Sequence, residues 1–348
     1  MRYSEEEQNL IVFSSFPEAV SALRGRMDFT KPAYSLIKSG FGGVYNKVKR
    51  KFTDENYRLR LFESLEKRGV DCVTFISEDY PEPLKNIPDP PIVLYLKGDR
   101  KLLKTEMFSI VGSRKTTPVA LAECRKFSAS LSERFTIVTG LADGADTAAI
   151  YGAMDSGGKV ISVLANGFDR IYPAINTRLA EKIAEKGLLV SEYLPTVKAL
   201  SYHFPVRNRI IAGLSKGTLV VSAGRKSGAL ITANYCTEYG RDAFAFPYWL
   251  NEPTGEGCNA LIKEGATLVQ SPEDILGVYG FTEKLQTKTK ITKTEEEVLS
   301  AVRASGEAFL PEIAAKLKKQ PYELIPVLTS LEIKKLVVRL GGNRYSAL

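Results

Sequence analysis

From residue 106 onward, short apolar runs recur at Phe108–Val111, Phe135–Val138, Val160–Leu164, Leu188–Val190, Leu219–Val221, Ala243–Phe246 and Thr267–Val269. Most of the gaps between them hold one helical stretch of ten or more residues. Strands this short and this apolar need cover on both faces, and strands separated by helices run parallel. The pattern therefore predicts a doubly wound α/β domain built on an extended, Rossmann-like parallel sheet. Helix-start signals agree with it. Thr117–Pro118 reads as an N-cap followed by proline at the first helical position, and Ser271–Pro272–Glu273–Asp274 repeats that grammar.

The flanks read differently. Residues 1–85 carry helical patterns broken by Gly40, Gly42–Gly43 and Gly69, with a basic cluster over Lys47–Lys51, and predict a small helical (SAM-like) domain. The stretch DYPEPLKNIPDPPIVLYLKGD then spends five prolines between Pro81 and Pro91, which stops helices and marks a domain junction. The α/β domain is assigned to 86–282. After Gly280, FTEKLQTKTKITK is polar, lysine-rich and aperiodic, a linker. Thr294 with Glu297 then reads as a capping box. Helical patterns near 295–304, 311–319 and 321–333 precede two strand-like runs around Gly341–Gly342, which together describe a winged helix over 294–348. In DNA readers of that shape the third helix enters the major groove. Here it is PYELIPVLTSLEI, with Glu323, Glu332, an interrupting Pro326 and no lysine or arginine. That is the shape without a basic reading head.

Composition narrows the chemistry. No apolar run reaches membrane-spanning length, and MRYSEEEQ has neither a basic nor an apolar leader region, so a cytoplasmic protein with no membrane partner is expected. Cys72, Cys124, Cys236 and Cys258 lack CxxC spacing and read as reduced, mostly buried thiols. The 48 basic against 40 acidic residues leave a net charge of +8, which suits a polyanionic partner without demanding one. His203 is the single histidine, so histidine triads and multi-histidine metal sites are almost excluded, and it reads as a packing or capping residue. No cofactor is expected.

Ligands of open parallel sheets sit beyond the carboxyl ends of the strands. The loop Gly112–Ser113–Arg114 offers close backbone approach, a hydroxyl and a guanidinium fork, backed by helix N-terminal amides. TGLADGADTAA places Gly140 and Gly144 at another strand-to-helix turn, and LANGFDRIYP brings Phe168 and Tyr172 near a third. HFPVRNRIIAGLS sets Arg207 and Arg209 around Asn208, and SAGRKSGALITA brings Arg225, Lys226, Ser227 and Gly228 to one more helix start. Each has a plain structural alternative: glycine as a tight corner, the arginines as salt-bridged helix residues, the aromatics as core. Their convergence at one edge, without a paired nucleophile and base, favours anion binding without catalysis. The G-x-G-x-x-G of dinucleotide enzymes and the G-x-x-x-x-G-K-[ST] of P-loop enzymes are both absent. Arginines, aromatics and glycine-softened backbone suit a run of phosphates with stackable bases, that is, single-stranded nucleic acid.

The strings VGSRKTTP, TGLADGADTAA, SEYLP, FPVRNRIIAGLS, SGALITA, GRDAFAFP and GCNALIKEGA occur in the order seen in the DprA/Smf (DNA processing protein A) family, which the chain resembles over about residues 75–270. The resemblance implies a protein that is not an enzyme. It implies one that binds single-stranded DNA through the Rossmann-like domain, forms homodimers and loads RecA recombinase during natural transformation. The family's G-x-R arginine falls on Arg114, its R-N-R on Arg207, Asn208 and Arg209, the preceding aromatic on Phe204 and its S-G pair on Ser227 and Gly228. The full candidate set is Gly112, Ser113, Arg114, Gly140, Phe204, Arg207, Asn208, Arg209, Lys226, Ser227 and Gly228. The chain departs from the family pattern with Asp143 and Ile150 in place of arginine and histidine, Ser222 in place of glutamate and Tyr248 in place of glycine. An aspartate repels phosphate, so Asp143 is not assigned to DNA. Two other classes stay open: a nucleotide- or metabolite-binding, phosphoribohydrolase-like protein, whose P-G-G-x-G-T-x-x-E motif is missing here, and a winged-helix repressor. The stretch DAFAFPYWLNEP, read as a sheet edge, lends mild support to the homodimer.

Overall fold

The computed structural model describes residues 3–16, 49–281, 292–334, 336–340, 342 and 344–347. The breaks at Gly40 and Gly42–Gly43, Lys47 and Val48 of the basic cluster, most of the expected linker (282–291), Lys335 and Gly341 lie outside them. Two compact units divide the chain, Met1–Thr282 and Glu283–Leu348.

The first unit holds a nine-stranded sheet in the order β1-β2-β6-β5-β4-β3-β7-β8-β9. Its strands are β1 (Asp71–Thr74), β2 (Val93–Gly98), β3 (Met107–Val111), β4 (Thr136–Thr139), β5 (Val160–Leu164), β6 (Leu188–Ser191), β7 (Gly217–Val220), β8 (Asp242–Ala245) and β9 (Thr267–Leu268). From β6 across to β9 every pairing is parallel. Strands β3 to β7 are buried along their whole length, as a sheet covered on both faces requires. The covering helices are α1 (Glu5–Ser14), α2 (Glu55–Lys67), α3 (Pro118–Leu131), α4 (Ala145–Asp155), α5 (Thr177–Lys186), α6 (His203–Leu214), α7 (Gly228–Glu238), α8 (Glu256–Lys263) and α9 (Pro272–Val278). Both expected starts hold: Thr117 accepts from the Ala120 amide, and Ser271 and Asp274 form a capping box. No helix among the described residues is long and apolar enough to cross a membrane. All four cysteines are buried thiols.

Three expectations change. The sheet is not wholly parallel, because β2 joins β6 and β1 joins β2 in antiparallel fashion. Strand β1 falls in the range assigned to the helical domain, yet it belongs to the sheet, so the boundary at 85 does not separate it from the α/β unit. The proline-rich segment packs onto that unit as well. Leu84 and Ile87 are buried, and both would meet a Cβ placed on Gly213 of α6, at 2.7 and 3.0 Å. Finally, DAFAFP is not an edge: β8 lies between β7 and β9, and Phe244 and Phe246 are core.

The order of the strands decides where a ligand can sit. From β3 the chain winds outward through β4, β5 and β6, then returns to β7 on the other side of β3. Connections leaving β3 and β7 therefore run to opposite faces and open a crevice at the carboxyl edge, the switch point of the sheet.

The second unit runs α10 (Lys293–Ser305), β10 (Glu307–Phe309), α11 (Leu310–Leu317), α12 (Pro321–Ile333), β11 (Val337–Leu340) and β12 (Arg344–Ala347), with strand order β10-β12-β11. Val298, Val302, Ile313, Leu324, Leu328, Leu331 and Tyr345 form its core. The capping box is Thr292 with Glu295, two residues before the expected pair. Glu295 is selected because it also receives Lys334 Nζ at 2.7 Å and Ser330 Oγ at 2.7 Å, whereas Glu297 has a single, longer and more exposed pair with Lys319 at 3.3 Å. Helix α12 continues through Pro326, and Glu323 serves as its cap partner by accepting from the Gln320 amide at 2.7 Å.

Candidate functional site

At the switch point the connection from β3 to α3 turns at Gly112. A Cβ there would lie 2.6 Å from the Ala145 side chain and 3.2 Å from the Ser222 amide nitrogen, so only glycine lets the three loops meet. The Ser113 amide donates to the Ser222 carbonyl at 2.8 Å and approaches Ser222 Oγ at 3.2 Å. Ser222, one of the departures from the family pattern, thus pins the loop. Ser113 Oγ accepts from the Lys115 amide, which folds the loop back and leaves its hydroxyl proton free to be donated outward.

Arg114 projects from this loop into solvent, and among the described residues no carboxylate pairs with it. Its guanidinium instead lies 5.3 Å from the ring centre of Phe204 and 5.8 Å from that of Tyr172. Those two rings meet edge to face at 5.4 Å. A cation held on aromatic faces keeps its hydrogen-bond donors for an incoming anion. Tyr172 is exposed at the cleft, whereas Phe168 is buried and belongs to the core.

Arg207 sits beneath. It is buried and donates to the Gly140 carbonyl at 2.7 Å, to the Val163 carbonyl and to Asn208 Oδ1 at 3.2 Å. A Cβ on Gly140 would overlap the guanidinium, which explains the glycine. Asp146, also buried, accepts from the amides of Gly140 at 3.0 Å and Ala142 at 3.2 Å. Burial raises the Asp146 carboxyl above its usual range, opposed by the charge of Arg207. Burial likewise pushes Arg207 down to about 10, against the pull of Asp146 and with added repulsion from Arg114. Through the Gly140 and Val163 carbonyls Arg207 ties α6 to the ends of β4 and β5 under the cleft floor, with the charge of Asp146 close enough to be felt. Asn208 Nδ2 donates to the Gly228 carbonyl at 3.2 Å and joins α6 to the start of α7, where Ser227 is the N-cap.

These residues enclose a cleft of 440 Å³ lined by Gly112, Ser113, Arg114, Phe204, Arg207, Asn208, Ser227 and Gly228 from the expected set. Gly140 lies just below it, as the seat of Arg207. Lys226 is exposed on the rim beside Ser227. Arg209 is turned away: it is 1% exposed, donating through Nε to Asp89 Oδ2 at 2.8 Å and through Nη2 to Glu192 Oε1 at 2.6 Å. It anchors α6 to the proline-rich segment, and its expected place among the phosphate ligands is corrected here. The sequence reading also missed Lys115, Asp146 and Thr232, which line the cleft. Asp143 is exposed, with Oδ1 accepting from the Gly144 amide at 2.9 Å, and Ile150 is buried. His203 packs against Tyr193 at 4.1 Å, with Nδ1 3.0 Å from the Ala165 carbonyl oxygen. Among the described residues no group of three or more His, Cys, Asp or Glu is placed to hold a metal ion.

The cleft can hold an anion against Arg114, the Ser113 hydroxyl and two helix starts, beside exposed aromatic surface. Comparison with known proteins agrees on what kind of chain carries it. The family model described as DNA recombination-mediator protein A matches residues 71–280. DNA processing protein DprA of Streptococcus pneumoniae is 42% identical over 208 residues, spanning 60% of this chain and 74% of that protein. DprA of Bacillus subtilis is 40% identical over 218 residues, spanning 62% and 73%. Among solved structures, S. pneumoniae DprA superposes with a TM-score of 0.64 at 32% identity, covering 80% of this chain and 98% of that one. DNA processing protein A of Helicobacter pylori, solved for its single-stranded DNA binding mode, gives 0.55 at 29% identity, covering 60% and 95%.

Proposed function

We propose, because the chain belongs to the DNA recombination-mediator protein A (DprA/Smf) family, that it binds single-stranded DNA in the switch-point cleft and carries out no catalysis there. The observation that carries this reading is Arg114, seated on Phe204 and Tyr172 in front of the α3 N-terminus, with no carboxylate partner among the described residues. A phosphate placed on it gains a charge-assisted bond and the partial charge of the helix start. The neighbouring rings offer a base a flat face. Gly228 supports the same reading: a Cβ there would meet no protein atom within 4 Å, so packing does not require glycine, while a backbone approaching a strand benefits from it.

The reading extends to loading RecA recombinase onto the bound strand during natural transformation and to a homodimer formed through the α/β unit, acting in the cytoplasm. In the second unit, α10 to α12 with the three-stranded sheet follow the order of a winged helix, and the capping role of Glu323 and the absence of Lys and Arg from α12 favour protein contact over base reading. The test is binding of a labelled oligothymidine against duplex and AMP competitors. Single-strand preference, with AMP recovered intact after long incubation, supports the reading. A duplex preference, or adenine released in proportion to protein, contradicts it.

A further inference from the structure

The loop after β8 carries the chain's single tryptophan, and it stands in solvent: Trp249 is 90% exposed and its neighbour Leu250 89%. Beside them runs a groove of 480 Å³ between α3 and the carboxyl ends of β8 and β9, walled by Val119, Phe127, Phe246, Tyr248 and Trp249. Its inner walls are fixed. Phe127 and Phe246 meet edge to face at 4.7 Å, and Tyr248 is held through its hydroxyl, which donates to the Val221 carbonyl at 2.7 Å. The carboxylates at the rim are engaged, Glu123 with Lys126 and Glu252 with Thr254. An acidic rim disfavours a phosphate but not an uncharged planar ring. Aromatic surface exposed to this degree marks a contact site.

Two connections lead from the cleft to this groove along the same sheet edge. In the β3–α3 connection Lys115 lines the cleft, while Thr117, two residues on, lines the groove. In the β7–α7 loop Ser227 and Gly228 line the cleft, while Val221 at its other end holds Tyr248. The β3–α3 connection therefore gives a strand whose phosphates lie on Arg114 and Lys115 a path toward the groove that Trp249 walls. We propose that Trp249 is a stacking platform that takes the base of a flanking nucleotide and lengthens the single-strand footprint beyond the cleft. This rests on the reading of the cleft as a single-strand site.

The lone tryptophan makes the test direct, with fluorescence and anisotropy followed in the same titration of the full chain. An oligothymidine of about twelve nucleotides should quench the emission, while one of about four, reaching only the cleft, should bind without doing so. Trp249→Ala should weaken the longer oligonucleotide about ten- to hundredfold, the worth of one stacked base, and leave the shorter one unchanged. Trp249→Phe should restore most of the loss, and unaltered melting of both variants excludes misfolding. Unchanged emission with wild-type affinity in Trp249→Ala overturns the platform and leaves the cleft reading standing. Failure of the wild-type protein to bind either oligonucleotide overturns both. Emission that shifts with protein concentration alone, without DNA, assigns the groove to self-association and also overturns the platform.

Discussion

Two glycines at the site should respond to the same methyl in opposite ways. At Gly140 the added Cβ would overlap Nη1, Cζ and Nη2 of Arg207. The guanidinium cannot swing aside without cost, because it is buried and bonded to the carbonyls of Gly140 and Val163 and to Asn208. Unseating it leaves a buried guanidinium without its carbonyl acceptors, at about 1–3 kcal/mol for each unsatisfied group, and removes the charge that opposes the burial of Asp146. In a unit the size of Met1–Thr282 that corresponds to a fall in Tm of about 10 °C. At Gly228 the same methyl meets nothing within 4 Å, and the residue opens α7, where alanine is favoured over glycine by up to about 1 kcal/mol. Gly228→Ala should therefore melt at or slightly above the wild-type temperature while losing oligonucleotide affinity, because its methyl stands where the strand approaches. Thermal unfolding by circular dichroism, paired with anisotropy on each variant, separates the two. A Gly140→Ala protein that melts like wild type would refute the placement of Arg207, and a Gly228→Ala protein that binds like wild type would refute the approach of the strand to that turn.

Arg209→Met should cost about 3–5 kcal/mol of stability by stranding Glu192 and Asp89, with the folded variant keeping its oligonucleotide affinity; a selective loss of affinity would return Arg209 to the binding surface. In the second unit Lys334, Ser330 and Thr292 hold the Glu295 carboxyl down at about 2. Its pKa is lower folded than unfolded, so its stabilisation is complete above the ordinary glutamate range, about 4.3, and is lost as pH falls from there toward 2. Glu295→Gln should accordingly lower the melting of this unit at neutral pH, with the difference from wild type closing in acid; a constant difference would refute the ion pair. Deleting residues 283–348 should leave single-strand affinity within about 1 kcal/mol of the whole chain, the scale of a few exposed charges. A deletion that abolishes binding would move the site into the second unit.

Much of the α/β unit is legible because a strand buried on both faces leaves an uninterrupted apolar run, and β3 to β7 are such strands. Strand β1 is harder to read, since DCVT is four residues long, sits at an edge and follows a helix without a turn signal specific to sheets. Arg207 and Arg209 show where a motif misleads and geometry corrects it. Two residues along a helix amount to about 200° of rotation, so both cannot face one cleft. The stretch TKTEEE holds two overlapping T-x-x-E frames, and only the contacts of Glu295 with Lys334 and Ser330, remote in sequence, select the first. Tyr172 and Phe168 lie four residues apart in one loop, and their separation into cleft and core depends on Arg114 arriving from another loop. Asp146 left no specific trace, since an acidic residue in the first turn of a helix is ordinary, and only the fold shows it buried on the Gly140 and Ala142 amides near Arg207.

The central claim is that Arg114 takes a phosphate of a single strand, and its most direct test is the salt dependence of oligothymidine binding by the wild-type protein and by Arg114→Ala. Each phosphate neutralised on a single strand contributes about −0.7 to the slope of log K against log salt. The variant should bind more weakly by about 1.5–3 kcal/mol, the worth of a charge-assisted contact, and its slope should be shallower by about 0.7. A variant that keeps the wild-type affinity and slope, or wild-type binding indifferent to salt, would contradict the account.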